Sequence, residues 1–157
     1  MSNDLPAMPL IGLLLRLLNQ HWAEEVDAAL RAAGFDDIRP PHANVFPFVP
    51  PEGIQVSELA KRARVRKQTM AEAVEELERA GYIERRPDPK DRRGQLVLLT
   101  KRGKAVPPVA IAAGLRVEEH WAELTSRQQV EALRGSLQRL LKRLADQRRE
   151  GHRDAAS

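Results

Sequence analysis

The chain contains no cysteine. That excludes disulfides, thiolate metal sites, a cysteine nucleophile and any thiol-based redox sensor. Long apolar runs are missing as well. The longest apolar stretch, Pro9 to Leu18, already contains Arg16, whereas a membrane helix needs about twenty apolar residues. No basic segment precedes that stretch and no small-residue cleavage site follows it, so neither a membrane span nor a signal peptide is expected. A cytoplasmic protein is the reading that fits. Catalytic signatures are also missing. There is no Gly-rich phosphate loop, no G-x-S-x-G and no H-E-x-x-H, so no catalytic residue, no enzyme activity and no cofactor is expected.

What is present is enough to bury a core. The chain has 157 residues, 42% hydrophobic and 31% charged, which suits one domain or one domain with an elaborated end. The net charge of +4 is unevenly spread. Residues 1–60 sum to −5, residues 61–104 to +7 and residues 105–157 to +2. A basic middle between less basic flanks suggests one surface meant for a polyanion.

Periodicity divides the chain further. Residues 1–9 carry two prolines and no pattern, and read as a flexible end. Leu10 to Ala33 reads as a helix, apolar nearly all round in its first half and amphipathic through Trp22, Val26 and Leu30 later. Pro40-Pro41-His42 can start a short helix, which Pro47 and Pro50-Pro51 end. Val56 to Ala63 and Arg66 to Ala80 are two helices joined by Arg64-Val65, the second with Met70, Ala73, Val74 and Leu77 on one face. Tyr82-Ile83 and Leu96 to Leu99 flank Pro87 to Gly94, which predicts a two-stranded hairpin with a long basic loop. Thr100 can cap a helix that runs to about Leu124, with a kink expected at Pro107-Pro108. Thr125-x-x-Gln128 reads as a capping box for a last helix, with Val130, Leu133, Leu137, Leu140, Leu141 and Leu144 as a seam. Residues 149–157 are expected to be a second flexible end.

Two short helices joined by a tight turn and followed by a basic hairpin make a winged helix-turn-helix. The fold class expected is mainly α with a small β-hairpin wing, plus long terminal helices for dimerisation. The helical dimerisation region is expected at 10–33 and 101–148, and the DNA-binding winged helix-turn-helix at 38–100. Leu13, Leu14 and Leu17 with Leu137, Leu140 and Leu144 are the candidate dimer interface, because these stripes exceed what one small lobe can cover.

The residues that carry a family likeness are Ser57-Glu58-Leu59-Ala60, Val65-x-Lys67-Gln68-Thr69, and the run Leu77 to Arg85. They continue through Asp88-Pro89-Lys90-Asp91-Arg92-Arg93 and Leu96-Val97-Leu98-Leu99-Thr100-x-x-Gly103. In this order and spacing the chain resembles the MarR family of bacterial transcription regulators across residues 10 to 148. The resemblance implies a homodimer with two winged helix-turn-helix lobes on a palindromic operator in double-stranded DNA. It also implies a repressor relieved by a small-molecule effector. The chain departs from the family at Arg66, where Ser or Thr usually caps the recognition helix. It departs again at Glu72, often basic, and at Gln55, commonly Thr.

A helix in the major groove reads bases with its first turns. Those turns carry Arg66, Lys67, Gln68, Thr69 and Glu72. Arg or Lys can pair with guanine, Gln with adenine and Glu with the cytosine amino group. The wing offers Arg85, Arg86, Lys90, Arg92 and Arg93. By resemblance Arg92 enters the minor groove, where a narrow groove concentrates negative potential. Arg93 is expected to pair with Asp88 or Asp91 and hold the loop in shape. His21, Trp22, His42, Asn44 and Phe46 are the candidate effector pocket, since aromatic walls with a few polar groups suit a small apolar compound.

Two other classes compete with this reading. One is a winged-helix protein-interaction module without DNA binding, which the cationic wing argues against. The other is a small metal-dependent enzyme. His21-Trp22-Ala23-Glu24 and His120-Trp121-Ala122-Glu123 repeat one pattern on two helices, and His and Glu at i and i+3 share a face. With no thiolate available, amphipathic packing accounts for the repeat better, and no metal is expected.

Overall fold

The structure, a computed structural model, describes residues 5–154. Its elements are α1 (Ile11–Ala32), two 3-10 turns (Pro40–Asn44 and Phe46–Phe48), α2 (Val56–Ala63), α3 (Lys67–Arg79), β1 (Ile83–Asp88), β2 (Asp91–Leu99), α4 (Lys101–Lys104), α5 (Val106–Leu124) and α6 (Arg127–Asp154). Contacts divide the chain after Gly114 into two units.

In the first unit, α1 ends where the Phe35 amide donates to the Leu30 carbonyl at 2.9 Å. The next segment was expected to hold one short helix and holds two 3-10 turns instead. Pro40, Pro41 and Pro47 supply no amide donors, so a regular α-helical ladder cannot continue through them. α2 and α3 form the helix-turn-helix. Between them Arg64 adopts a left-handed conformation, φ 56°, and the Val65 amide reaches the Ala60 carbonyl at 3.1 Å. This is the end that glycine usually gives a helix, made here with arginine.

The buried side of the helix-turn-helix is Leu59, Met70, Val74 and Leu77, closed by Val45, Tyr82, Val97 and Val106. Burying each such side chain contributes about 1.5–3 kcal/mol. Val26 and Leu30 of α1 and Ala113 of α5 belong to the same core. Trp22 packs on Gly114, where a Cβ would stand 2.9 Å from the indole ring.

The hairpin differs from the expected long loop. β1 and β2 pair from Ile83–Leu99 outward to Asp88–Asp91, leaving only Pro89 and Lys90 as the turn. Ile54 adds a bridge to Val97 on the other edge of β2. Thr100 caps the next helix as expected, accepting from the Gly103 amide at 3.1 Å. A Cβ at Gly103 would strike the Tyr82 carbonyl oxygen, so glycine alone lets α4 sit this close to the wing. The helix is then interrupted by a turn at Ala105. Pro107 and Pro108 fall in the first turn of a new helix, where a missing amide costs nothing, rather than kinking one continuous helix.

The second unit holds the rest of α5 and all of α6. Arg134 of α6 pairs with Glu118 of α5 at 2.6 Å and with Glu131 at 3.3 Å. The expected cap Thr125 is displaced by its neighbour. Ser126 accepts from the Gln129 amide at 3.1 Å, while the Thr125 hydroxyl donates back to the Trp121 carbonyl at 2.7 Å. α6 runs on to Asp154, past Arg148, where the polar sequence suggested an end. Residues 155–157 of the expected flexible end, and 1–4 of the other, lie outside the described residues.

Candidate nucleic-acid interface

α3 has two faces of opposite character. Met70, Ala73, Val74 and Leu77 are buried. Arg66, Lys67, Gln68, Thr69 and Glu72 are all exposed. Arg66 sits at the N-cap in extended conformation without a side-chain cap. The first turn therefore keeps free amide donors beside two cations, an arrangement that favours an anion. Gln68 Nε2 donates to Glu72 Oε1 at 2.9 Å. The two side chains in the middle of the exposed face thus hold each other one turn apart.

On the hairpin the basic residues fall into two groups. Arg85 pairs with Glu78 of α3 at 2.9 Å, and Arg86 pairs with Glu84. Both are compensated within the lobe. Nearer the tip, Lys90, Arg92 and Arg93 are exposed. Among the described residues no ion pair engages the Arg92 or Arg93 side chain.

The tip is held differently from expectation. Arg93 makes no ion pair to Asp88 or Asp91; only its backbone amide donates, to Asp91 Oδ1 at 3.0 Å. Asp88 Oδ1 accepts from the Lys90 amide at 2.9 Å, and Asp88 Oδ2 accepts from Gln55 Nε2 at 2.7 Å. The Gln55 bond first, then the Lys90 amide, hold the Asp88 carboxyl below its ordinary value. A guanidinium was the obvious partner in sequence. The amide that takes its place is 33 positions away and carries no local signal.

Beneath the interface two polar links pin α3 and the wing. His42 Nε2 donates to Glu76 Oε2 at 2.7 Å. The Tyr82 hydroxyl donates to Asp37, and Arg102 reaches Asp37 Oδ2 at 3.2 Å and the Tyr82 oxygen at 2.9 Å. The Arg102 guanidinium also lies over the Tyr82 ring, 4.4 Å from its centre. Sequence reasoning missed Gln55, Glu76, Asp37 and Arg102 in these roles.

The candidate pocket residues are distributed unevenly. His42 and Phe46 are buried, Phe46 meeting Tyr82 edge to face at 6.1 Å. His21 and Trp22 are half-buried on α1, and Asn44 is exposed. Of the candidate dimer residues, Leu13 and Leu14 are half-buried and Leu17 exposed in the first unit. In the second unit Leu137 is half-buried while Leu140 and Leu144 are exposed, at 56% and 43%. His120 stands 3.5 Å from Glu123, both exposed. Among the described residues no three His, Cys, Asp or Glu side chains gather as a metal site would require. No described helix is long and apolar enough to cross a membrane.

Comparison with known proteins bears on the family and the fold. A family model described as MarR family matches residues 48–94, which run from the second 3-10 turn to the wing. Transcriptional regulator HosA of Escherichia coli O111:H- is 30% identical over 111 residues, 69% of this chain and 76% of that protein. A crystal structure of MarR aligns with a TM-score of 0.72 at 28% identity, covering 96% of this chain and 98% of that one. A MarR-family transcriptional regulator from Rhodococcus sp. RHA1 aligns with a TM-score of 0.67 at 25% identity, covering 83% and 91%.

Proposed function

The chain belongs to the MarR family of transcriptional regulators, and on that premise we propose that it binds a specific operator in double-stranded DNA as a homodimer. The observation that carries this reading is the exposed face of α3. Arg66, Lys67, Gln68, Thr69 and Glu72 stand clear of the core, and at the hairpin tip the Arg92 and Arg93 side chains are exposed. α3 enters the major groove and reads bases through Gln68, Glu72 and the two cations. Lys90, Arg92 and Arg93 meet the backbone and the minor groove, with Arg85 and Arg86 behind them.

Dimerisation is assigned to residues 10–33 and 101–148, and DNA binding to 38–100. The support is the unpartnered leucines, Leu17 on α1 and Leu140 and Leu144 on α6, which are apolar and exposed within one chain. A twofold dimer presents two copies of α3, so its operator is a palindrome. A protein that reads the genome works in the cytoplasm. Repression, and its relief by a small ligand, rest on the family likeness alone. A ligand among His21, Trp22, His42, Asn44 and Phe46 that drew His42 from Glu76 would act on α3 directly, because Glu76 lies on that helix.

The experiment is selection of fragmented genomic DNA on the purified protein, followed by mobility shifts over a salt series. A recurrent palindrome, bound far more tightly than random DNA and with affinity falling as salt rises, is expected. Retention of no DNA at low salt would leave the protein-interaction reading in its place.

A further inference from the structure

Gln55 stands at the N-cap of α2, where a short hydroxyl or carboxyl side chain would bond the first free amides. It makes no such bond. Its amide nitrogen instead donates to Asp88 Oδ2 at 2.7 Å and lies 3.5 Å from Asp91 Oδ2. Asp88 and Asp91 are the pair that faces across the hairpin turn. One side chain at the start of the helix-turn-helix therefore holds both strands of the wing at their outer end.

Three further features converge on this contact. A Cβ at Gly94 would stand 2.6 Å from the Gln55 amide nitrogen. β2 thus passes as close to Gln55 as a residue without a side chain permits. The backbone next to Gln55 is itself bonded to β2, with Ile54 and Val97 exchanging amide bonds of 3.1 and 2.8 Å. The Asp88 carboxyl, which also accepts from the Lys90 amide at 2.9 Å, is held below its ordinary value first by the Gln55 bond and then by that amide.

We propose that Gln55 is a positioning residue for the wing, fixing the direction of the tip and of Arg92 before DNA arrives. A two-stranded hairpin is marginal by itself, and a tip free to swing loses conformational entropy when DNA orders it. The Gln55 link makes that loss in the free protein. This inference rests on the reading that the wing meets DNA.

Gln55→Thr separates positioning from folding. Threonine can cap α2, but its hydroxyl is too short to reach Asp88. Thermal stability is expected to hold or rise. Operator affinity is expected to fall about tenfold, the cost of ordering roughly one residue of the tip when DNA binds. Hydroxyl-radical protection should weaken along the minor groove under the wing, while protection of guanine N7 from dimethyl sulfate should persist in the major groove under α3. The double variant Gln55→Glu with Asp88→Asn exchanges donor and acceptor across the same gap and is expected to recover most of the affinity. Gln55→Glu alone sets three carboxylates together and is expected to bind worst. Undiminished affinity in Gln55→Thr, or losses that simply follow thermal stability across the set, would overturn the proposal. Failure of the unaltered protein to bind any DNA would overturn the functional reading along with it, a result distinct from binding that ignores Gln55.

Discussion

His42 and Glu76 join the first 3-10 turn to α3 through a single 2.7 Å bond. The other ring nitrogen, Nδ1, accepts the Arg39 backbone amide at 3.0 Å. An amide can only donate, so Nδ1 carries the lone pair and the proton sits on Nε2, donated to the carboxylate. A buried neutral imidazole thereby uses both nitrogens. Glu76 lies one turn beyond Glu72 on α3 and on the same side. The bond therefore resists rotation of α3 about its own axis, the motion that would turn Gln68 and Glu72 away from a base pair.

His42→Ala is expected to cost roughly 1–3 kcal/mol, because it strands the Arg39 amide and empties a buried position. Denaturant unfolding should show a lower midpoint at unchanged slope. The pH dependence has a definite sign. The hydrogen bond from His42, against the opposing cost of burial and with the help of the Arg39 and Arg79 charges, holds the Glu76 carboxyl below its ordinary 4.5. A depressed acid stabilises the fold above its unfolded value and loses that effect as pH falls through the folded one. The gap between wild type and His42→Ala should be full near neutrality and narrow below pH 4.5. A gap independent of pH would show that the bond to Glu76 contributes nothing.

Tyr82 is the single tyrosine of the chain, so its ionisation can be followed by near-ultraviolet absorbance without interference from another. Burial, then the hydrogen bond to Asp37, push its hydroxyl up to about 12, against the opposing pull of Arg102. A group whose folded value is raised stabilises the fold below its unfolded value, and that stabilisation is lost as pH climbs through the folded one. Alkaline titration should therefore show no tyrosinate near pH 10 and a midpoint near 12, coincident with loss of structure. Asp37→Asn should bring the midpoint down, and Arg102→Ala should push it higher. A midpoint of 10 in folded protein would contradict the network.

Arg92→Ala removes an uncompensated cation from the wing. If Arg92 neutralises one phosphate equivalent, the slope of log K against log salt should flatten by ~0.9. Arg86→Ala should move the slope less, because Arg86 is already paired with Glu84. Gln68→Ala should act on sequence preference instead, with a loss of about 1–3 kcal/mol in discrimination at one position. A randomised operator library measures both, and unchanged preference for Gln68→Ala would remove it from base reading.

The sequence spoke clearly where the signal was local. Val56 to Ala63 was legible to the residue and α3 to within one residue at each end, because apolar side chains recur at helical spacing and one face has no competing pattern. The wing was legible as a hairpin but not in length. Pro87 and Pro89 read as breakers of a strand, yet Pro87 lies on β1, whose outer end Gln55 holds through Asp88. The exposed reading face of α3 followed directly from its buried one. Its support did not follow. His42–Glu76 spans 34 positions and Arg102–Asp37 spans 65, and such pairings arise from the packed fold rather than from any spacing along the chain. The shift of the last cap from Thr125 to Ser126 has a similar cause, since Thr125 is drawn back to the Trp121 carbonyl.

The leucines of α6 give the final prediction. Leu140 and Leu144 lie one turn apart on α6, and both are exposed in a single chain. Leucine side chains left in water forgo the gain of burial, about 25 cal/mol per Å² of apolar surface, and a second copy can recover it. If dimerisation uses this seam, Leu140→Glu places a carboxylate in it at a cost of several kcal/mol when desolvated. Because Leu140 is exposed within the protomer, the variant should still fold, with helix content unchanged by circular dichroism. Sedimentation should then report a monomer where the wild type is a dimer. Operator affinity should drop toward that of a single half-site, since the second α3 no longer binds as a linked partner, and affinity for random DNA should fall as well, because the phosphate contacts of the second lobe are lost. A folded Leu140→Glu dimer with intact operator binding would place the dimer interface elsewhere on the chain.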